Sequence, residues 1–510
     1  MNSLPIELED DHPPEECAVF GMYAPGEDVA RHTYFALYAL QHRGQESSGI
    51  ACSDGRVLEC YKDMGLVSQV FNPEILLRLN GFLTVGHNRY STTGSSRIDN
   101  AQPIMLKSHL GPIAIAHNGN LTNYKELKKE LSERGIIFST TSDTEVIGKL
   151  FALAEGDSMA EKVRETMQRL RGSYSVVLAT RDTLIGFRDP LGVRPLCLGE
   201  IHNQPEGGWI LASESCAMST IGASFTREVE PGEAVIIKAA TPGGAPELES
   251  VQAIPVKQHA LCLFEYIYFA RPDSIVRGDA IYNARYRMGQ HLAREYPVEA
   301  DAVMPIPDSG VPASLGYADE SGIPYSEGLI KNRYIARTFI QPDDSLRKVG
   351  IKLKFNPLTQ NIKGKRIVLI DDSIVRGHTT KALVKLLRDE GATEIHVRIT
   401  SPPMIHPCFY GVDTATHGEL IAHRMSVPEI CEFIGADTLG YLSLDALMED
   451  THYPRKNLCR ACFTGDYPGE AAGRGNIERR KPGTETPTAH EDSPIPPDSG
   501  DGVPTPARLP

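Results

Sequence analysis

Residues 366–383 read RIVLIDDSIVRGHTTKAL. The apolar run Ile367–Ile370 predicts a buried strand, and it delivers two adjacent carboxylates, Asp371 and Asp372, at its carboxyl end. A short loop through Arg376, Gly377 and Thr379 follows, and then a helix. Gly377 lets the backbone approach an anion. Thr379 and Thr380 offer hydroxyls, and the helix N-terminus offers unpaired N–H groups at the positive end of its dipole. Adjacent strand-end residues point to opposite faces, so the two aspartates are expected to do different work. One suits a ribose hydroxyl or the shell of a Mg²⁺, the other a structural donor.

The neighbouring sequence extends this pattern. Strand-like segments at 302–307 and 394–400 alternate with helical ones at 281–295, 311–321 and 378–390. That is βαβ texture, which predicts a parallel sheet with ligands at the strand carboxyl ends. The loop PIPDSGVPAS (305–314) puts Asp308, Ser309 and Gly310 where a second anion or metal ligand would sit. The stretch 331–355 is basic in an acidic protein; Arg333, Arg337, Arg347, Lys348, Lys352 and Lys354 suit a flap over a polyphosphate, or else a solvated loop.

The preceding residues have another texture. Short strand-like runs at GIACSDG, FLTVGHNRY, PIAIAHNGN, SYSVVLAT, TLIGFRD, WILASES and EAVIIKA are separated by helical runs at 28–42, 122–134 and 143–171, an α+β pattern rich in antiparallel strands. A domain over 17–240, a linker or long hairpin over 241–257 and a second domain over 258–464 are expected. From 465 onward nine prolines from Pro468 to Pro510 and few apolar residues predict a disordered tail. The 510 residues carry 52 basic and 66 acidic side chains, net −14, so a broad nucleic-acid footprint is not expected. No apolar run is long enough to span a membrane, and the acidic first 16 residues lack a signal-peptide core, so a cytoplasmic protein with reduced thiols is expected.

Residues 366–380 resemble the phosphoribosyl-pyrophosphate (PRPP) loop of type I phosphoribosyltransferases. Over residues 17–465 the chain resembles the amidophosphoribosyltransferase family, in its propeptide-bearing, iron–sulfur branch. The resemblance implies an α+β N-terminal-nucleophile (Ntn) glutaminase domain followed by an α/β phosphoribosyltransferase domain. In such glutaminases an N-terminal cysteine attacks the amide while its own α-amine, with a pKa of about 7.7–8.0, relays the proton. Cys17 is internal as encoded, so the resemblance implies removal of a propeptide, residues 1–16, at PPEE|CAVFG. Ala18 stands where the family often has glycine. The resemblance further gives Asn118 and Gly119 as the oxyanion hole, Arg89 and Thr92 as partners of the glutamine α-carboxylate, and Asp143 as partner of its amine. YALQHRGQESSG (38–49) matches the segment that packs on the nucleophile.

For the second site the resemblance implies PRPP binding by Asp371, Asp372, Ser373, Arg376, Gly377, Thr379 and Thr380, with Lys331, Arg333 and Tyr334. One Mg²⁺ per subunit is implied at Ser309, Asp371 and Asp372. Cys459 and Cys462 form a CxxC that suits a redox pair, a zinc half-site or a cluster half-site. With Cys262 and Cys408 added, the set suits a tetrahedral Zn²⁺ or a [4Fe–4S] cluster, and the resemblance favours one [4Fe–4S] per subunit. Cys52, Cys60, Cys197, Cys216 and Cys431 read as core. The implied reaction is glutamine-dependent transfer of ammonia to PRPP, with AMP and GMP as feedback inhibitors and a homotetrameric assembly. Alternatives are another amidotransferase such as glucosamine-6-phosphate synthase, which would need isomerase domains in place of DDSIVRGHTT, and a non-catalytic nucleotide sensor.

Overall fold

The computed structural model describes residues 17–90, 97–256, 258–332, 354–412, 414 and 416–469. Its N-terminal half is built on two antiparallel sheets, seven- and six-stranded. The strand Ala18–Tyr23 lies in the first sheet, between Gly208–Ala212 and Leu83–Arg89. Its alternation explains its place. Ala18, Phe20 and Met22 pack under the helix Val29–Ala39, while Val19 and Tyr23 face the second sheet. Gly21 lies between them because a Cβ there would come within 2.5 Å of Val177 Cγ1 in the facing sheet. The second sheet turns Ala116, Val177, Leu184, Val235 and Ile237 inward and Ile115, Val176, Ile185 and Ile236 toward the helices Asp143–Leu153 and Met159–Arg169. The result is four layers, helix–sheet–sheet–helix.

The C-terminal half carries a four-stranded parallel sheet in the order Ala302–Pro305, Arg366–Asp371, Glu394–Ile399, Thr438–Tyr441. Val303, Val368 and Ile370 face the helices Ile281–Glu295 and Val311–Ser321; Met304, Ile367, Leu369, Ile395 and Val397 face His378–Asp389 and Val427–Ile434. Both faces are covered, which is why these strands are apolar without alternation. Each expected strand and helix of this half lies where the sequence predicts it.

Three expectations change. The helical run at 143–171 is two helices: Gly156, at φ +131°, interrupts it, and Ser158 with Glu161 forms a capping box that starts the second. Of the two readings of 241–257, the hairpin is the one formed: Glu247–Gln252 pairs antiparallel with Glu233–Lys238 at the edge of the second sheet. Ordered chain also runs past 465, through Gly469, because the buried Tyr467 packs its ring on Phe409 and donates to the Pro407 carbonyl at 2.6 Å. The rest of the expected tail and residues 1–16 lie outside the described residues. Among the described residues no helix is long and apolar enough to cross a membrane.

Candidate active sites

Cys17 stands directly before Ala18–Tyr23, and the register Ala18↔Asn88 sets it beside the end of the strand Leu83–Arg89. Its Sγ donates to the Tyr90 carbonyl at 3.3 Å. Burial pushes the thiol up to about 11, against the pull of the Tyr90 hydrogen bond and the Arg89 charge; Glu46 and Asp143 also act on it. Arg89 is held by Glu46 at 2.7 Å. Asp143 opens its helix behind the Ser142 cap and accepts from the Leu121 N–H at 3.0 Å. Burial works against the ionised Asp143 carboxyl, but His117 and the Leu121 and Thr144 N–H groups outweigh it and hold the group below the usual carboxylate range. Cys17, Arg89 and Asp143 are thus brought together from three distant stretches.

Asn118 and Gly119 lie on the strand Gly111–Leu121 of the other sheet. His87 Nε2 lies 3.2 Å from the His117 carbonyl and ties this strand to the Cys17 sheet. Asn118 Nδ2 is buried with no hydrogen-bond partner, the state of a donor aimed at a substrate atom. Gly119 has φ +142°, and a Cβ on it would meet the Ser173 carbonyl oxygen at 2.2 Å, so no other residue fits. The second half braces this strand and its neighbour Gly172–Ala179. Asn120 Nδ2 donates to the Phe409 carbonyl at 2.9 Å, Ser173 Oγ to the Tyr410 carbonyl at 2.7 Å, and an added Cβ on Gly411 would lie 3.5 Å from the Gly119 carbonyl carbon. Thr92 lies outside the described residues.

In the second half the strand Arg366–Asp371 ends on buried Asp371 and Asp372. Asp371 accepts from the Asp372 N–H at 2.9 Å, and Asp372 from Ser373 Oγ at 2.6 Å. Gly377, at φ +80°, caps the helix His378–Asp389; a Cβ there would press to 2.8 Å on Ile421 Cδ1. Thr380 is buried in the first turn and Thr379 half-buried; Arg376 pairs with Glu419 at 2.9 Å. The 305–314 loop is drawn onto this strand end. Ile306 donates to the Ile370 carbonyl at 2.8 Å, a Cβ on Gly310 would meet that oxygen at 2.6 Å, and Ser309 precedes it in the chain. Lys331 pairs with Asp308 at 3.0 Å, so the start of the basic segment reaches the same rim. Arg333 and Tyr334, with residues 335–353 of the basic segment, lie outside the described residues.

Cys262 and Cys459 face each other in register across a short parallel pairing. Cys462 lies on the turn Ala461–Thr464, whose Cys462 carbonyl accepts from Ile405 and His406 in the segment leading to Cys408. Burial first, and then Cys262, Cys459 and Cys408, push the Cys462 thiol well above its ordinary range. Four thiols therefore share one neighbourhood. Among the described residues no group of three or more His, Cys, Asp or Glu is set to hold a single metal ion. Of the five expected in the core, Cys52, Cys197 and Cys216 are buried, whereas Cys60 on the sheet-edge strand Leu58–Met64 and Cys431 are half-buried.

Sequence reasoning did not single out Arg43, Glu46, His117, Glu214, Glu265 or Arg285. The signal available for Arg43 was a cationic side chain inside YALQHRGQESSG, the segment expected against Cys17.

Comparison with known proteins agrees with both halves. A glutamine amidotransferase domain family matches residues 87–220, and a phosphoribosyl transferase domain family matches residues 273–400. The amidophosphoribosyltransferase of Synechococcus elongatus is 52% identical over 481 residues, 94% of this chain and 96% of that one. That of Archaeoglobus fulgidus is 49% identical, covering 90% and 99%. The solved glutamine PRPP amidotransferase of B. subtilis, complexed with ADP and GMP, is 43% identical with a TM-score of 0.82, covering 89% of this chain and 97% of that one. An Ntn glutamine amidotransferase domain is followed here by a phosphoribosyltransferase domain with a parallel sheet, and the chain belongs to the amidophosphoribosyltransferase family.

Proposed function

We infer that this chain catalyses the glutamine-dependent amination of PRPP, giving 5-phosphoribosylamine, glutamate and pyrophosphate, the first committed step of purine synthesis. The observation that carries the reading is the presence in one chain of two distinct settings. One joins a buried thiol on the first sheet to an unpartnered amide donor on the second; the other is an acid-ended parallel strand running into a glycine-capped helix.

Cys17 is the nucleophile. A thiol held at about 11 is almost wholly protonated near neutrality, so attack needs a base beside it. Cleavage between Glu16 and Cys17 supplies one, the freed α-amine of Cys17 itself. Arg89 and Thr92 hold the α-carboxylate of glutamine and Asp143 its amine. Asn118 Nδ2 and the Gly119 N–H stabilise the oxyanion of the tetrahedral intermediate. Ammonia released there passes within the chain to the second site.

At that site Gly377, Thr379, Thr380 and the helix N-terminus hold the ribose phosphate, and Asp371, Asp372, Ser373 and Arg376 hold the ribose and its surroundings. Lys331, Arg333 and Tyr334 bind the pyrophosphate. Ser309, Asp371 and Asp372 offer hard oxygen donors too few to enclose an ion, which suits a Mg²⁺ that keeps water and substrate ligands. Mg²⁺, when bound, neutralises charge on the leaving pyrophosphate. Cys262, Cys408, Cys459 and Cys462, four thiols that share one neighbourhood, would hold a structural [4Fe–4S] cluster. A cluster there supplies a cross-link between the start and the end of the second domain.

The ADP and GMP carried by the solved relative support regulation by purine nucleotides, AMP and GMP among them. A cytoplasmic homotetramer with domains at 17–240 and 258–464 completes the proposal. The test is the matured enzyme with Cys17→Ala: glutamine-dependent synthesis is lost while synthesis from free ammonia persists. Loss of both activities in folded protein overturns the two-site reading.

A further inference from the structure

Between the two halves lies a cluster of four acidic and basic side chains, Arg43, Arg194, Glu214 and Glu265, each at most 1% exposed. Arg43 Nη1 donates to Glu214 at 2.6 Å and to Glu265 at 3.0 Å, and its Nη2 to Glu265 at 2.8 Å. Arg194 Nη1 lies 3.7 Å from Glu265. Glu214 also receives the Arg271 N–H at 2.9 Å and Ser274 Oγ at 2.6 Å from the second half, and lies 2.7 Å from His42 Nε2. Burial opposes its charge, yet His42 and Arg43 hold its carboxyl well below the usual range. Two guanidinium groups balance two carboxylates, the condition under which such burial is sustained. A buried ion set is a poor source of net stability, so its use is better sought in what it orients.

One end of the cluster touches the nucleophile: Arg43 Nε donates to the Cys17 carbonyl at 3.4 Å. The other end is a π-helical turn, Glu265–Phe269, a conformation frequent at functional sites. Arg285 clasps that turn, donating to the Tyr266 and Ala270 carbonyls, each at 2.8 Å. Tyr266, Ile267 and Phe269 of the same turn share one buried apolar core with Ile370 and Val375, the first at the end of the acid-ended strand and the second inside the Asp371–Thr380 loop.

We propose that Glu265 is a positioning residue for amide cleavage: its fork on Arg43 fixes the main chain of Cys17, and the π-turn clasped by Arg285 couples that fork to the Asp371–Thr380 loop. The proposal rests on the glutaminase–phosphoribosyl reading above. It goes further in assigning to this buried cluster the communication between the two sites.

The test uses full-length matured enzyme carrying Glu265→Gln, which keeps the side chain's shape. The expected result is a glutamine-dependent kcat lower by about 10- to 100-fold, with the KM for glutamine and the rate with free ammonia each within about threefold of the parent. Glutamate release by the parent should rise when PRPP is added, and that ratio should fall toward one in the variant. A glutamine-dependent kcat equal to the parent's overturns the proposal, as does a parallel fall in the ammonia-dependent rate or a parent ratio of one. If Glu265→Gln does not fold, Glu265→Asp, which keeps the charge but shortens the reach, should show the same kcat-only loss at smaller size; an unchanged kcat there overturns the proposal equally. Failure of the underlying reading looks different, since the parent itself would then release no glutamate or no pyrophosphate.

Discussion

The two sites of this chain are built in opposite ways. The thiol site gathers Cys17, Arg89, Asn118 and Asp143 from different strands and a helix of a double-sheet sandwich, and every one of them is buried. The phosphate site gathers nearly all its described groups from the ten residues Asp371–Thr380, at the open end of a parallel sheet. Close packing of the first means that its geometry is set by fold-wide contacts; the second is set by one strand–loop–helix junction. Mutations should therefore behave differently in the two halves.

The largest expected effect is in the first half. Cys17→Ala should lower glutamine-dependent synthesis by at least about a thousandfold, because it removes the thiol that forms the acyl intermediate. Assay of pyrophosphate release from glutamine and from ammonia checks this. Next, Asn118→Ala should lower glutaminase kcat by about 10² to 10³, the usual result of removing one oxyanion donor. Gly119→Ala should do at least as much, since its Cβ meets Ser173. Steady-state glutamate release, with the folded state checked by circular dichroism, measures both. In the second half, replacing Asp371 and Asp372 together by Asn should lower phosphoribosyl transfer by about 100-fold with either nitrogen source, while basal glutaminase stays within about threefold. A parallel loss of glutaminase would remove the contrast between the halves.

A fourth expectation concerns pH. The Cys17 thiol of the unprocessed chain, at about 11, is thiolate in roughly one molecule in ten thousand at pH 7, so its alkylation by iodoacetamide should rise about tenfold per pH unit up to pH 10. The matured form should react faster at pH 7.5. The smallest effect is at the brace between halves: Asn120→Ala removes the bond to the Phe409 carbonyl and should cost about 1 kcal/mol, read as a modest fall in denaturant midpoint.

This contrast also explains what could be read in the residues alone. The helices at 281–295, 311–321 and 378–390 and the acid-ended strand were legible because strand, loop and cap follow one another in the chain. The helix 378–390 ends only one residue early, at Asp389. The thiol site was legible only through resemblance, since an NG dipeptide or a lone cysteine carries no local signature of chemistry. The break near Gly156 was missed because apolar periodicity resumes after it, and Tyr467 was missed because the proline-rich composition around it masks one anchoring ring. Arg43, Glu214 and Glu265 were invisible for a deeper reason. Their pairing spans 171 and 222 positions, and a single charged residue in an apolar stretch does not announce its partner.

The most direct test of the account is a single assay of the matured full-length enzyme with glutamine, PRPP and Mg²⁺, following glutamate and pyrophosphate together. The two should appear in equal molar amounts, and Cys17→Ala should abolish both, with free ammonia restoring pyrophosphate alone. Glutamate released without pyrophosphate would contradict it.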